Sequence, residues 1–494
     1  MRKLAGLGVM VLAVAASVAQ AQIKPALACE RTAFQGVKLQ ADAPVTIVDV
    51  ASSEAVRDAQ KLPYCLVKLS VPEAINIWVG LPMEWNGRLV SIGGGGYVGR
   101  IGPPALAIEG GYVGVTTDTG HTGTDGSFGM LAPGKPNRAL QVDFAYRSEH
   151  LMGVLGKQVA QAFYRKAPQY SYWNGCSTGG RQGLMMAQRF PDDYDGVLAG
   201  APAIHWDRFQ AAQLWPQIAM RVENGAPVGK HNLDLATRAA VAACDAQDGV
   251  SDGIINDPRS CSFDAKSLVC SASSPGEQSC LTEKEASAID KIWAGPQPQW
   301  FGLTRGAVLN ALAGPDAFFI AMGQARYWVY LNPEWDWRTL SYENFGTFFN
   351  DTVKAVGPLI ATDNPDLGRF RRSGGKLIVW HGWSDQLIMP EGSIRYYDAV
   401  VKQSGGLADT QRFARLFMAP GVAHCAGGDG PQPRGLFEAL TKWVEQGEAP
   451  DRLQSVKSLP SGATRTRPLC MYPTVARWTG QGSTDEIDNF RCER

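Results

Sequence analysis

Two short segments each put a reactive side chain beside a cysteine: Gly175-Cys176-Ser177-Thr178-Gly179 and Pro420-Gly421-Val422-Ala423-His424-Cys425. The first has the G-x-S-x-G spacing of a nucleophile elbow, whose glycines permit a tight strand-to-helix turn that projects the serine hydroxyl. A serine hydroxyl is a weak nucleophile at neutral pH and needs a base to take its proton. Bonded cysteines hold their Cα atoms about 4.4–6.8 Å apart. A Cys176–Cys425 disulfide would therefore carry Ser177 and His424 to each other. The chemistry expected is acyl transfer by an exported serine hydrolase. The bland alternative for the elbow is a structural glycine-rich turn.

Six histidines compete for the role of base: His121, His150, His205, His231, His381 and His424. His424 is preferred because it follows a strand-like run and lies downstream of both Ser177 and a strand-end acid, Asp385. That is the chain order Ser, Asp, His of an α/β-hydrolase. His381 is the main competitor, at a strand end shortly before Asp385. Asp385 would accept a hydrogen bond from the imidazole and stabilise the imidazolium. Its other reading is a turn-forming aspartate after Ser384. Acyl transfer also needs oxyanion donors, and the N–H of Thr178, just after the serine, is one. The run Gly93-Gly94-Gly95-Gly96 fits the second, because glycine lets backbone approach a substrate closely. Spacing does not choose among the four. The run lacks the G-K-[ST] ending of a phosphate loop.

A sheet must place these residues. Arg88–Ile92, Tyr112–Thr117, Ser171–Asn174 and Asp195–Gly200 read as buried strands, and Leu184–Phe190 carries apolar residues at helical spacing. Lys376–Trp380 runs into His381-Gly382-Trp383-Ser384-Asp385, Ala414–Met418 runs into the His424 loop, and Phe437–Val444 reads as a closing helix. Strand, glycine turn, helix, strand predicts an α/β fold with a parallel sheet. From about 204 to 363 the alternation stops. That stretch holds Trp206, Trp215, Trp293, Trp300, Trp328, Trp335 and Trp337, half of the 14 tryptophans. It is expected to be a lid inserted at the carboxyl edge of the sheet, where a hydrolase builds its pocket. The alternative is an independent second domain.

Composition narrows the setting. The 494 residues are 45% hydrophobic and 19% charged, which suits a large globular core. Acidic and basic residues balance at 47 each, so no charge excess argues for nucleic acid or an anionic membrane. Residues 1–21 read as a signal peptide: Arg2 and Lys3, an apolar stretch to Val18, then Ala19-Gln20-Ala21. No later run reaches the roughly 20 apolar residues of a membrane span. A soluble protein, secreted or periplasmic, is expected. All ten cysteines lie beyond the signal, which favours five disulfides over free thiols. Spacing suggests Cys29–Cys65, Cys244–Cys261, Cys270–Cys280 and Cys470–Cys492, leaving Cys176 with Cys425. Sequence alone does not prove that connectivity.

The stretch from Asp245 to Ile254 is a separate feature. Asp245, Asp248 and Asp252, with the carbonyls of Val250 and Ile254, offer hard oxygen ligands of the kind calcium takes. The spacing is not that of an EF-hand. Cys244 and Cys261 would clamp the loop, which favours a structural calcium site over a solvated acidic loop.

Taken together, Gly-Cys-Ser-Thr-Gly-Gly at 175–180, the run from Cys244 to Gly253, His-Gly-Trp-Ser-Asp at 381–385 and Pro-Gly-Val-Ala-His-Cys at 420–425 resemble the tannase and feruloyl esterase family. That family includes mono(2-hydroxyethyl) terephthalate hydrolase. The resemblance runs over nearly the whole mature chain. It implies an α/β-hydrolase core over 22–203 and 364–494, with a lid domain at 204–363. It implies a Ser177–His424–Asp385 triad, the Cys176–Cys425 bridge, and calcium held by Asp245, Asp248, Val250, Asp252 and Ile254. It also points to Gly96 as the first oxyanion donor, beside Thr178.

The expected function is hydrolysis of a small aromatic acid ester of feruloyl or galloyl type through an acyl-enzyme. The alternatives are a terephthalate monoester hydrolase, an acyltransferase, and a non-catalytic binder on a hydrolase scaffold. Arg326 is open to two readings, a contact for a substrate carboxylate or a helix surface residue. The sequence specifies neither the acid, the alcohol nor the oligomeric state.

Overall fold

The computed structural model describes residues 22–271 and 279–494; the signal-like stretch 1–21 lies outside them. Nine strands form the main sheet: β1 (Thr46–Arg57), β2 (Gln60–Val71), β3 (Ile75–Pro82), β4 (Arg88–Ile92), β5 (Val113–Thr117), β6 (Tyr170–Cys176), β7 (Gly196–Gly200), β8 (Lys376–Gly382) and β9 (Ala414–Ala419). Their spatial order is β1-β2-β3-β5-β4-β6-β7-β8-β9. The first three pair antiparallel, and β3 pairs antiparallel with β5. From β5 to β9 every pairing is parallel. The expected α/β-hydrolase class holds. The antiparallel edge was not legible from sequence.

The parallel strands are buried on both faces, as their apolar runs require. Alternate side chains go to opposite faces. Leu377 and Val379 of β8 join Val197, Ala199, Leu416 and Met418 in one core. Ile378 and Trp380 join Leu198, Phe417 and Ala419 in the other. The first core is covered by α1 (Ser148–Tyr164) and α2 (Thr178–Arg189). The second is covered by the long C-terminal helix Leu436–Gln446, through Leu440 and Trp443. The hairpin between β1 and β2 turns on Asp58 and Ala59, at φ 49° and 65°. Two central residues at positive φ match the twist of the flanking strands.

Between β7 and β8, among the described residues, there are helices and loops but no strand. This insertion has its own apolar cluster, built on residues such as Phe209, Leu233, Ile289, Trp293, Phe345 and Phe348. The cluster does not stop at the insertion's ends. It takes in Tyr97, Phe128 and Phe144 from the loops after β4 and β5, and Ile388 and Met389 from beyond β8. Phe144 is fully buried, and its ring centroid lies 5.7 Å from Tyr97, 5.3 Å from Phe128, 5.7 Å from Trp206 and 5.9 Å from Trp328. That shared core argues against an independently folded second domain.

All five expected disulfides are formed: Cys29–Cys65, Cys176–Cys425, Cys244–Cys261, Cys270–Cys280 and Cys470–Cys492. The last staples two short strands, Val475–Trp478 and Phe490–Glu493, onto a three-stranded C-terminal sheet that sequence patterning did not reveal. Among the described residues no helix is long and apolar enough to cross a membrane.

The shared core makes a testable claim. Phe144→Ala should destabilise the protein by about 3–5 kcal/mol, and urea unfolding should remain one transition by both tryptophan fluorescence and circular dichroism. A separate early transition of the insertion would contradict it.

Candidate active site

The elbow is built by close backbone packing. Ser177 follows β6 and caps α2 at φ 63° and ψ −125°, a conformation that L-residues rarely adopt. Such strain costs about 1–3 kcal/mol and persists only where surrounding structure holds it. The surroundings here are glycines. A Cβ on Gly93 would lie 2.5 Å from the Gly179 Cα, and one on Gly175 would lie 2.6 Å from the Gly179 carbonyl carbon. The glycine run after β4 therefore lies directly against the first turn of α2.

Polar contacts fix the loop there. Gln182 accepts from the Gly94 N–H at 3.1 Å and donates to Glu149 at 2.6 Å. Ser148 also donates to Glu149. Burial pushes the Glu149 carboxyl up to about 7, against the pull of the buried Arg181. The Thr178 hydroxyl donates to the Gly96 carbonyl at 2.8 Å, and Gly96 sits at φ 55°. Among the described residues neither the Gly96 nor the Thr178 N–H has a protein acceptor. Thr178 opens α2, where helix N–H groups lack intrahelical partners.

His424 comes from the loop after β9. Its neighbour Cys425 is bonded to Cys176, with the two Cα atoms 5.9 Å apart. The His424 N–H donates to the Gln386 side chain at 3.0 Å. The ring Nδ1 lies 2.7 Å from Asp385 Oδ2. Asp385 is fully buried, and its Oδ1 accepts from the N–H groups of Leu387 and Ile388 at 2.8 and 2.9 Å. Burial alone would raise its pKa. The charge on His424 and the hydrogen bonds from His381 and His424 outweigh burial and hold the carboxyl well below the usual range.

The same two influences act on His424 in the opposite sense. Burial would lower it, but the charge and hydrogen bond of Asp385 leave it raised above 6.5. An ionised Asp385 can only accept, so the neutral His424 ring carries its hydrogen on Nδ1 and leaves Nε2 as an acceptor.

His381, the competing histidine, turns out to share the same acid. Its Nε2 lies 3.0 Å from Asp385 Oδ2 and its Nδ1 2.8 Å from Ser393 Oγ. Both nitrogens are occupied and the ring is fully buried, so it buttresses Asp385 and faces no open space.

Ser177, His424, Gly96 and Thr178 line one cavity. Neither the Ser177 hydroxyl nor His424 Nε2 has a protein partner among the described residues, so both are open to a ligand. Such catalytic contacts often tighten only when substrate binds. The opposite walls are Trp206, Phe209, Phe318 and Ile320 from the insertion, with Leu387 and Ile388 from the loop after β8. Sequence reading placed Trp206 in the pocket-building lid and missed the other five. The i, i+3 spacing of Trp206, Phe209 and, further on, Gln210 and Gln213 was the available signal for one helix face. Arg326 is not on the cavity wall; it donates to the Trp335 carbonyl at 3.0 Å and braces the insertion.

The acidic loop follows the helix Lys230–Cys244. Asp245 accepts from the N–H groups of Asp252, Gly253 and Ile254 at 3.0–3.2 Å, and Asp248 accepts from Val250 at 3.0 Å. Asp248, Val250, Asp252 and Ile254 line one small cavity. This hard-oxygen set fits calcium in kind. Part of the Asp252 charge is taken by Arg467 at 2.8 Å and Arg465 at 3.4 Å. Among the described residues no three acidic, imidazole or thiol groups already converge as a metal cluster.

The chain is similar to proteins already known. The chain is 36% identical over 447 residues to a probable feruloyl esterase from Arthroderma benhamiae, covering 85% of this chain and 82% of that one. It is 29% identical to mono(2-hydroxyethyl) terephthalate hydrolase from Piscinibacter sakaiensis, covering 90% and 88%. The structure matches feruloyl esterase B from Aspergillus oryzae with a TM-score of 0.83 at 28% identity, covering 92% and 98%. A model of the tannase and feruloyl esterase family matches residues 66–308 and 299–493. This chain belongs to the tannase and feruloyl esterase family.

Proposed function

We propose that this protein is an exported serine carboxylic ester hydrolase that cleaves aromatic acid esters of feruloyl or galloyl type through an acyl-enzyme. The observation that carries this reading is one cavity lined by Ser177 and His424, whose hydroxyl and Nε2 have no protein partner among the described residues, together with Trp206, Phe209 and Phe318. Ser177 Oγ attacks the ester carbonyl as His424 Nε2 takes its proton. Asp385 keeps the imidazole oriented and offsets its charge. The Gly96 and Thr178 N–H groups stabilise the oxyanion. His424 then protonates the departing alcohol. Water enters by the same route in reverse and releases the acid. Trp206, Phe209 and Phe318, from the lid at 204–363, give the ring an apolar bed.

Export is supported by the signal-like residues 1–21 and by five disulfides, which oxidising compartments sustain. Calcium would be held by Asp245, Asp248 and Asp252 with the Val250 and Ile254 carbonyls. It would stabilise the loop between Cys244 and Cys261 and take no part in the reaction. A terephthalate monoester is the second substrate candidate, on the likeness to the Piscinibacter sakaiensis enzyme.

Ser177→Ala should cut kcat by about 10⁴–10⁶ with the melting temperature unchanged. Turnover at the wild-type rate would remove Ser177 from the mechanism and revive a non-catalytic scaffold. The base works only when neutral, and its pKa is raised above 6.5, so kcat/KM should fall as pH drops through that raised value. Asp385→Asn removes the charge that raises it and leaves the burial that lowers it. The acidic limb should then move to lower pH while the plateau falls by about 10⁴; an unmoved limb would contradict the assignment. Chelation should lower the melting temperature more than the initial rate, and added calcium should restore it. Elemental analysis showing no bound cation would return the acidic loop to a solvated turn.

A further inference from the structure

The helix that follows β7 (Trp206–Ala212) turns two glutamines toward the cavity. Gln210 is 1% exposed, and neither its Nε2 nor its Oε1 has a hydrogen-bond partner. Among the described residues no other side chain leaves two buried polar atoms unpaired. The Tyr97 hydroxyl lies beside it. That hydroxyl gives its hydrogen to the Ile320 carbonyl at 3.3 Å, so it offers Gln210 an acceptor at most. Gln213 is 2% exposed; its Nε2 donates to the Leu387 carbonyl at 2.8 Å, and its Oε1 is unpaired.

Gln217, one turn on, shows what a structural glutamine does here. Its Nε2 reaches the carbonyls of Leu312, Gly314 and Asp316 at 3.2, 2.7 and 3.1 Å. Gln210 holds no such segment. Buried polar groups are almost always paired, and an exception needs a reason. A ligand group in the cavity supplies one.

We propose that Gln210 and Gln213 select the substrate by hydrogen-bonding phenolic hydroxyls on its acyl ring. This rests on the aromatic-ester reading above. The donor and acceptor count sets the chemistry. Gln213 has one N–H committed to Leu387 and an unpaired Oε1, and that oxygen is satisfied only by a group that carries a hydrogen. A hydroxyl does; a methoxy group and a carboxylate do not. Gln210 offers amide N–H donors and an acceptor oxygen, which a second hydroxyl, or the oxygen of the first, can use. No lysine or arginine lines the cavity. The free carboxylate of a terephthalate monoester would therefore be desolvated with no cation to meet it and would leave both glutamine oxygens unpaired. The pair thus favours hydroxylated aromatic acids and rejects dicarboxylate monoesters.

The test compares kcat/KM for methyl 4-hydroxycinnamate and methyl cinnamate in wild type, Gln210→Leu and Gln213→Leu. Binding of both esters to the Ser177→Ala protein, with and without each glutamine substitution, is measured by calorimetry. The hydroxylated-to-unsubstituted ratio should exceed one in wild type and fall by about 10–100-fold in Gln210→Leu. The melting temperature of Gln210→Leu should change little, because the Tyr97 hydroxyl is the most the amide can bond in the free protein. An unchanged ratio, or an equal loss on both esters with a lowered melting temperature, would overturn the proposal. Should wild type hydrolyse neither ester while glutamine-dependent binding of the hydroxylated ester persists, the hydrolase reading falls and the pocket assignment stands. Loss of both would end both.

Discussion

One covalent bond settles where the two reactive loops meet. In the sheet, β7 and β8 lie between β6, which ends at Cys176, and β9, which leads to Cys425. Adjacent strands are about 4.8 Å apart, so the ends of β6 and β9 are separated by roughly 14 Å. Left to the sheet alone, the serine and histidine loops would stand at that distance. The Cys176–Cys425 bond closes it to 5.9 Å between Cα atoms, across 249 residues of chain. The Asp385 loop, from the intervening β8, lies beneath the crossing and takes the His424 ring at 2.7 Å.

A second constraint keeps the site rigid once it is closed. Asp385 is buried and fully engaged: two backbone N–H groups on one oxygen, two imidazoles on the other. Its charge is kept because hydrogen bonds and the neighbouring imidazole outweigh the cost of burial. The serine side is held by shape. Gly93, Gly175 and Gly179 leave no room for a Cβ, so the elbow and the glycine-rich loop form one packed unit. The glycines spend conformational freedom to gain contact, and the strain at Ser177 is held by that contact.

Much of this was legible in the amino-acid order, for identifiable reasons. Parallel strands such as Lys376–Gly382 and Ala414–Ala419 are apolar runs ending in glycine or proline turns, and they stand out. Chain order and flanking cysteines singled out Ser177, His424 and Asp385; the structure sets the His424 ring on Asp385 and lines one cavity with Ser177 and His424. The structure added that His381 is a partner of the same acid; a fully buried histidine four residues from an aspartate carries no mark of that in sequence. The antiparallel edge from Thr46 to Pro82 was missed because its exposed polar residues alternate irregularly. The C-terminal strands after Asp451 are short and held largely by pairing and by Cys470–Cys492. The walls of the cavity were missed for another reason. Phe318, Ile320 and Ile388 come from distant segments, and only the tertiary fold gathers them.

The insertion and the loops at the sheet's end therefore wall one cavity together. Everything turns on the bridge that brings Ser177 to His424. The most direct test is the rate at which an aryl phosphonate labels Ser177 in wild type and in Cys176→Ser/Cys425→Ser protein, each checked for an intact fold. Loss of alignment by about 1 Å should slow the reaction on the order of a hundredfold. Labelling of the folded double variant at the wild-type rate would contradict the account.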